Sequence, residues 1–336
     1  MRALVLGGSV FVGKRLVRAL LAQDAEVAVL NRGKTPTALP DGVQHLVADR
    51  TDTASMRSAL GDRTWDAVFD VSGFVMAAGD SNIAELLDLF DGRVGDYVYV
   101  SSIMAYDQSL AGVFPWTEDL PSNPDGSGTY GGFKAVAEQA MLDRHAASGF
   151  PGSVVRPAAI YGPDNNFFDM ETPMFLRLLQ HRPILLPHGG LVATSYGHVD
   201  DLCELMVAMV GQPPARGEVF NVTAEGLTSS RYVQELAAIV GADPDVVSVP
   251  DDVLASLTRP VFGHLFGVRH HAIASIEKAT SLLGFRPRYD FVDGHVETYA
   301  WFREQGWGDL SSALSDPVWG ASWDFEAEAE VAGMLR

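Results

Sequence analysis

Arg2-Ala-Leu-Val-Leu6 runs directly into Gly7-Gly-Ser-Val-Phe-Val-Gly13, and Lys14 then opens a stretch with apolar residues at Leu16, Val17, Leu20 and Leu21. The first segment reads as a short buried parallel strand, and Lys14 to Gln23 reads as a helix with one apolar face. Glycines between them permit a tight turn and close backbone approach. The helix N-terminus that follows carries a partial positive charge suited to a pyrophosphate. Together these make a dinucleotide-binding βα unit, with Gly7, Ser9, Phe11, Val12 and Gly13 expected against the cofactor. The middle glycine of a regular G-x-x-G-x-x-G is absent, and Val10 stands in its place.

Working outward, the second strand Glu26-Val-Ala-Val-Leu30 ends in Asn31-Arg32-Gly33-Lys34. An acidic residue here would bind a ribose 2′-hydroxyl. An amide followed by two cations suits a 2′-phosphate instead, so NADP is expected, with NAD possible. The other reading of Arg32 and Lys34 is a pair of solvated loop charges.

A second constellation lies further along. Tyr97-Val-Tyr-Val-Ser-Ser102 reads as a strand ending in a serine pair, and Tyr130-Gly-Gly-Phe-Lys134 follows it. Positions i and i+4 share one helix face, so the phenol and the ammonium can enter one pocket. A nearby ammonium favours the phenolate and lowers its pKa from about 10. Such a pair suits alcohol–ketone interconversion near neutral pH.

With these residues in view, the chain resembles an extended short-chain dehydrogenase/reductase of the NAD-dependent epimerase/dehydratase group, over nearly its whole length. The resemblance includes Val47-Ala-Asp49-Arg50, Asp66-Ala-Val-Phe-Asp-Val-Ser-Gly73, Ser102-Ile-Met-Ala-Tyr106 and Val155-Arg-Pro-Ala-Ala-Ile-Tyr-Gly-Pro163. Gly197-His-Val-Asp-Asp-Leu202 and Leu283-Gly-Phe-Arg-Pro287 extend it. It implies that Asp49 and Arg50 meet the adenine, that Ser72 and Gly73 turn beside the cofactor, and that Pro157 passes the nicotinamide. It also implies Tyr130 as acid/base, Lys134 as the cation that lowers its pKa and holds the nicotinamide ribose, and Ser102 as the hydroxyl on the reacting oxygen. A phenol and a hydroxyl aimed at that oxygen would stabilise its developing charge. Family dimers pair two helices per subunit, here expected at Ser81–Phe90 and Tyr130–Ala147. Leu86, Leu87 and Phe90 either face a partner or their own sheet.

Strands alternate with helices from Met1 to about Gly162, which implies an α/β fold: a doubly wound parallel Rossmann-type sheet with a smaller C-terminal substrate domain. The expected division is 1–163 for the dinucleotide-binding domain, rejoined by about 191–224, with 164–190 and 225–308 forming the smaller domain. Within it, Asp164–Gly190 reads as one short helix with loops, and helices are expected near Tyr232–Val240, Ile273–Leu283 and Asp293–Gln305. His198 to Val210 reads as a helix rejoining the large domain, and Gly112–Gly128 as a long connecting loop. The tail, 309–336, carries Trp319 and Trp323 and is expected to dock on its own subunit, a dimer contact or lid being the alternatives.

A chain of 336 residues exceeds what one core organises. Met1 leads straight into the first strand, so no signal region is expected, and no apolar run is long enough to span a membrane. Cys203 is the single cysteine, which leaves no internal disulfide and fits a reducing, cytoplasmic setting. The net charge of −19 disfavours nucleic acid. The histidines are scattered, no metal site is expected, and Asp200-Asp201 is read as a helix cap.

The expected substrate is a small, sugar-like or otherwise polyhydroxylated molecule. Family members that dehydrate nucleotide sugars carry Asp-Glu after the catalytic hydroxyl residue; Ile103-Met104 stands here. Ala159 replaces an asparagine common in sugar-nucleotide epimerases. Epimerase and reductase both remain open. Asp164 to Pro187 resembles a subgroup that includes chloroplast stem-loop RNA-binding proteins, so an RNA-binding or cofactor-sensing protein is the alternative. The complete Ser–Tyr–Lys set and the acidity weigh against it.

Overall fold

The computed structural model describes residues 1–34, 38–72, 79–110, 112–166, 170–259, 261, 266, 270–306 and 324–336. In chain order its strands are β1 (Arg2–Leu6), β2 (Glu26–Asn31), β3 (Gln44–Val47), β4 (Trp65–Asp70), β5 (Val94–Val100), β6 (Gly152–Pro157), β7 (Ala159–Tyr161), β8 (Pro183–Pro187), β9 (Ala193–His198), β10 (Val219–Val222), β11 (Glu225–Thr228) and β12 (Asp245–Val249). Helices are α1 (Phe11–Leu21), α2 (Thr53–Leu60), α3 (Gly79–Asp88), α4 (Tyr130–Ser148), α5 (Glu171–Leu179), α6 (Val199–Ala208), α7 (Ser229–Val240), α8 (Asp251–Ser256), α9 (Glu277–Leu283), α10 (Phe291–Glu304) and α11 (Phe325–Leu335).

Seven strands form one parallel sheet in the order β10-β6-β5-β4-β1-β2-β3. Parallel strands need crossovers that cover both faces, and the strand sequences are apolar on both sides accordingly. Ala3, Val5, Val29, Phe69 and Val98 pack against Leu16, Val17 and Leu20 of α1 and Leu202 and Met206 of α6. Alternate residues, Leu4, Leu6, Leu30, Val68, Tyr97 and Tyr99, face Leu86, Leu87 and Phe90 and the α4 residues Phe133, Ala137 and Met141. The expected doubly wound sheet is therefore present.

Two smaller elements lie apart from this sheet. β7, β9 and β11 form a three-stranded sheet, and β8 pairs with β12 in parallel. A separate core of Phe175, Leu176, Tyr196, Tyr232, Leu236, Phe291 and Phe302 joins α5, α7 and α10 to β9. The short helix expected within 164–190 is α5, but strand β8 stands where a flanking loop was expected. Its prolines stand at the ends of the strand, and among the described residues β12 alone pairs with it, so the missing N–H groups cost no second ladder.

Helix α9 starts at Glu277, later than expected, because Ala272 and Ala274 bridge to Thr194 and Trp116 first. Helix α6 begins at Val199. His198 ends β9 and caps α6 through its ring, which accepts from the Asp200 amide, in place of the expected aspartate cap. Asp200 instead pairs with Arg15 at 2.8 Å, and Asp201 accepts from the amides of Arg288 and Tyr289.

Leu86, Leu87 and Phe90 are buried in their own sheet layer, which settles their direction away from a dimer surface. The outward described residues of α3 and α4 include Glu85, Asp88, Gln139 and Asp143. The terminal helix α11 docks on its own chain. Ala327, Val331 and Ala332 pack on Leu185, Val247 and Val249, and buried Glu328 takes a forked bond from Arg177 at 2.9 and 2.5 Å. Trp319 and Trp323 lie outside the described residues. Among the described residues no helix is long and apolar enough to cross a membrane.

Candidate active site

Strand order reverses at β1, whose neighbours β2 and β4 belong to opposite halves of the sheet. Ligands of such sheets bind outside the strand carboxyl ends at that point. Gly7 follows β1 there with φ +97°, a conformation glycine tolerates and other residues resist. A methyl group at Gly7 would lie 2.6 Å from Ser72 Cβ, and one at Gly13 would lie 2.1 Å from the Gly7 carbonyl oxygen. The turn is thus closed to side chains and open to a ligand backbone.

Helix α1 starts at Phe11, and its cap residue Val10 offers no side-chain bond to the first-turn amides. That arrangement fits a pyrophosphate, whose charge the helix N-terminus would meet. Phe11 itself is buried in the core beneath the turn, and the Val12 carbonyl accepts from the Cys203 thiol at 3.7 Å. A cavity of about 130 Å³ lies alongside, lined by Gly8, Ser9, Lys14, Val17, Arg18, Ala38, Leu39 and Pro40.

The other expected cofactor residues divide. Asn31 Nδ2 donates to Ser9 Oγ at 2.7 Å, while its Oδ1 accepts from the Gly33 amide at 2.7 Å and lies 3.0 Å from His45 Nε2. This amide ties the end of β2 to the glycine turn. Arg32 and Lys34 are exposed and close enough to Asp49 to hold its carboxyl down, after the larger effect of bonds from Thr51. Arg50 is turned inward: its guanidinium is buried on Asp70 and reaches Ser72 Oγ at 3.0 Å. Pro157 is buried at the end of β6, and Gly73 lies outside the described residues.

Ser102, Tyr130 and Lys134 are brought together at the carboxyl end of β5. The Ser102 hydroxyl lies near enough to the Tyr130 phenol to favour its ionisation, and Ser102 Oγ accepts from the Met104 amide at 3.1 Å. Lys134 Nζ donates to the Val100 carbonyl at 2.7 Å and sits 5.0 Å from the Tyr99 ring centre and 5.7 Å from that of Tyr130. Burial pushes the Lys134 ammonium down to about 8, with Asp70 and Glu138 acting the other way.

Burial also pushes the half-buried Tyr130 phenol up, and the nearby Ser102 hydroxyl opposes that. The expected lowering by Lys134 does not prevail over burial, and the ammonium donates to the Val100 carbonyl.

Several positioning residues were not singled out from sequence. Gly131 and Gly132 let α4 start in backbone contact with its neighbours. A methyl group would lie 2.1 Å from the Met104 carbonyl oxygen at the first and 1.8 Å from the Gly126 carbonyl oxygen at the second. Asn123 braces the same contact: its amide nitrogen donates to the Ala105 carbonyl at 2.7 Å and its side chain to that of Met104 at 3.2 Å. One turn beyond Lys134, buried Glu138 is clamped by Arg156, which lies over the Tyr106 ring at 4.3 Å. The signal for the first of these was the glycine pair directly after Tyr130, since helix interiors rarely favour two glycines. Among the described residues no cluster of His, Cys, Asp or Glu could hold a metal ion.

Residues 3–223 match the model of the NAD dependent epimerase/dehydratase family. The chain belongs to that family. It is an enzyme of the extended short-chain dehydrogenase/reductase kind. Its relatives include the chloroplast stem-loop binding protein of 41 kDa b of Arabidopsis thaliana, 29% identical over 89% of this chain and 78% of that protein. Another is the dTDP-glucose 4,6-dehydratase of Streptomyces antibioticus, 30% identical over 67% of this chain and 63% of that enzyme. Among solved structures, UDP-glucose 4-epimerase from Thermotoga maritima shares the fold at a TM-score of 0.76 and 21% identity, covering 91% of this chain and 99% of its own.

Proposed function

We propose that this family member moves a hydride and a proton at a secondary alcohol or ketone of a sugar, a sugar nucleotide or a similar polyhydroxylated substrate. Tyr130 and Lys134 one turn apart on α4, with the Lys134 ammonium 5.7 Å from the Tyr130 ring centre at the end of the strand that leads into Ser102, carry the reading. Tyr130 would give or take the proton at the reacting oxygen, and Ser102 would donate to that oxygen as charge develops. Lys134 would hold the nicotinamide ribose. Gly7, Ser9, Val12 and Gly13 would hold the pyrophosphate, and a bound nicotinamide would supply or accept the hydride.

Arg32 and Lys34 support NADP over NAD, because among the described residues neither is engaged in a hydrogen bond or ion pair and both lie at the end of β2. Buried Ile103 and exposed Met104 leave no acid and base directly after Ser102, so reduction or epimerisation is favoured over 4,6-dehydration. The Arabidopsis relative gives stem-loop binding as a second reading, and a net charge of −19 opposes it.

Mass spectrometry of the dinucleotide released on denaturation tests the proposal. A stoichiometric co-purified nicotinamide supports internal recycling and epimerisation. An empty protein that binds NADPH better than NADH supports a reductase. Binding of neither overturns the enzyme reading proposed here. Tyr130→Phe should keep dinucleotide affinity and lose most turnover on a panel of sugar nucleotides and ketoses; unchanged turnover removes Tyr130 from the chemistry.

A further inference from the structure

The glycine turn after β1 departs from a regular dinucleotide loop at one position. Such a loop uses one glycine for the tight turn, one for close approach of the backbone to the pyrophosphate and one for helix–strand packing. Gly7 and Gly13 fill the first and last roles, since a methyl group at either would come within 2.6 Å of Ser72 Cβ or of the Gly7 carbonyl oxygen. The position between them is Val10, the residue that caps α1. Its side chain is 38% exposed, on the outside of the turn. Where glycine serves the chain's own packing it is present, and where it would serve the ligand an isopropyl group stands.

The valine is held in that place by its neighbour. Phe11 is 3% exposed, buried in the core that includes Leu16, Val17 and Leu20. It sits at φ +34°, in the left-handed region that bulky residues resist. Backbone kept there is over-determined by its surroundings, so the turn, and Val10 with it, is set before a ligand arrives. The three cations of α1 are already engaged. Lys14 Nζ and Arg18 Nη1 donate to Asp164 at 2.5 and 2.7 Å, and Arg15 Nε donates to Asp200 at 2.8 Å. What the helix offers a pyrophosphate is its first-turn amides and its dipole, both of which act only at short range.

We propose that Val10 keeps the dinucleotide loosely held, so that the nicotinamide is a dissociable co-substrate exchanged on every turnover. The inference rests on the dinucleotide site proposed above and selects between its two reactions. An epimerase must retain its reduced cofactor while the keto intermediate turns over. In a reductase the substrate carbonyl carbon takes the hydride, its oxygen takes a proton, and oxidised nicotinamide leaves. Loose holding serves the second.

Calorimetric titration with NADPH, NADH and ADP-ribose, and NADPH release followed by stopped-flow fluorescence, compare the native chain with Val10→Gly and Val10→Leu. Val10→Gly should tighten all three ligands by about tenfold and slow release by a similar factor, since affinity changes within one site lie mostly in dissociation. Val10→Leu should weaken them. Adenosine 2′-monophosphate, which has no pyrophosphate, should bind the native chain and Val10→Gly alike. Should glycine loosen the turn, Val10→Ala keeps the backbone restricted and should still tighten the three ligands. Binding gained by Val10→Gly where the native chain shows none would also uphold the proposal. Native affinity in every variant, or tightening that extends equally to adenosine 2′-monophosphate, overturns it. A native protein that purifies with stoichiometric, non-exchanging nicotinamide overturns it too, and leaves the dinucleotide site standing. Failure of the native chain and all the variants to bind any of the three ligands would remove the site itself, and this proposal with it.

Discussion

Two histidines buried at the seam between the three-stranded sheet and α10 make stability depend on pH in a predictable direction. His198 and His295 are both 0% exposed. His295 stacks on Tyr161 with ring centres 3.7 Å apart, and its Nδ1 bonds the Phe291 carbonyl; His198 meets the same tyrosine edge-on at 5.5 Å. The Nε2 atoms of both are buried without a hydrogen-bond partner among the described residues. Burial lowers His198 to about 4 and His295 to about 3, with Asp200 opposing and Arg15 and Arg288 reinforcing the shift at His198. A folded pKa below the unfolded one means the fold favours the neutral ring. The associated stability is full above about pH 6.5 and is lost as the unfolded chain takes up protons below that value. At pH 5 each ring costs about 2 kcal/mol and the pair about 4, a large part of a typical 5–15 kcal/mol. Glu118, Asp201 and Glu328, whose carboxyls burial raises, act in the opposite sense. The assay is therefore a difference: urea unfolding at pH 8 and pH 5 for the native chain and for His295→Gln. The variant should lose about half as much of the histidine-linked stability on acidification. Equal losses in the two proteins would refute the argument.

Other outcomes follow from the same geometry. Arg32→Ala should weaken NADPH by about 10- to 100-fold with little effect on NADH, the worth of one charged hydrogen bond; calorimetric titration of both nucleotides checks it, and equal losses would make Arg32 a surface charge. Gly131→Ala should push the Met104 carbonyl away, destabilise the fold by about 1–3 kcal/mol and separate Ser102 from Tyr130. A displacement of that kind should lower turnover by about 100-fold, and native kinetics would show that the close contact has no functional part. Glu328→Ala removes the carboxylate that the buried Arg177 grips, leaving it the Pro173 carbonyl, at a cost of about 3–5 kcal/mol. Hydrogen exchange should then rise across α11, and unchanged protection there would contradict the docking described above.

The dinucleotide-binding half was legible because its signals are local. The β1–turn–α1 unit is covalently contiguous, and its glycines record a backbone path that a side chain would block. The Tyr130 and Lys134 spacing was equally readable, since four residues of helix fix a shared face. Arg50 was not legible in the same way. It follows Asp49 in sequence, yet its side chain runs under the sheet to Asp70, a partner twenty residues on. The strand β8 was masked by its prolines, which are harmless only because β12 pairs it on one side.

From the sequence alone came the alternation of strands and helices, the parallel sheet, the glycine turn and the Ser102, Tyr130 and Lys134 set. These depend on periodicity and on chain neighbours, which a linear string records. Tertiary structure alone decided that Leu86, Leu87 and Phe90 face inward, that α11 closes on Arg177, and that the Arg50 guanidinium turns inward onto Asp70. Those outcomes depend on which distant charges and surfaces meet in a dry interior, where a single opposite charge counts for far more than it does in water.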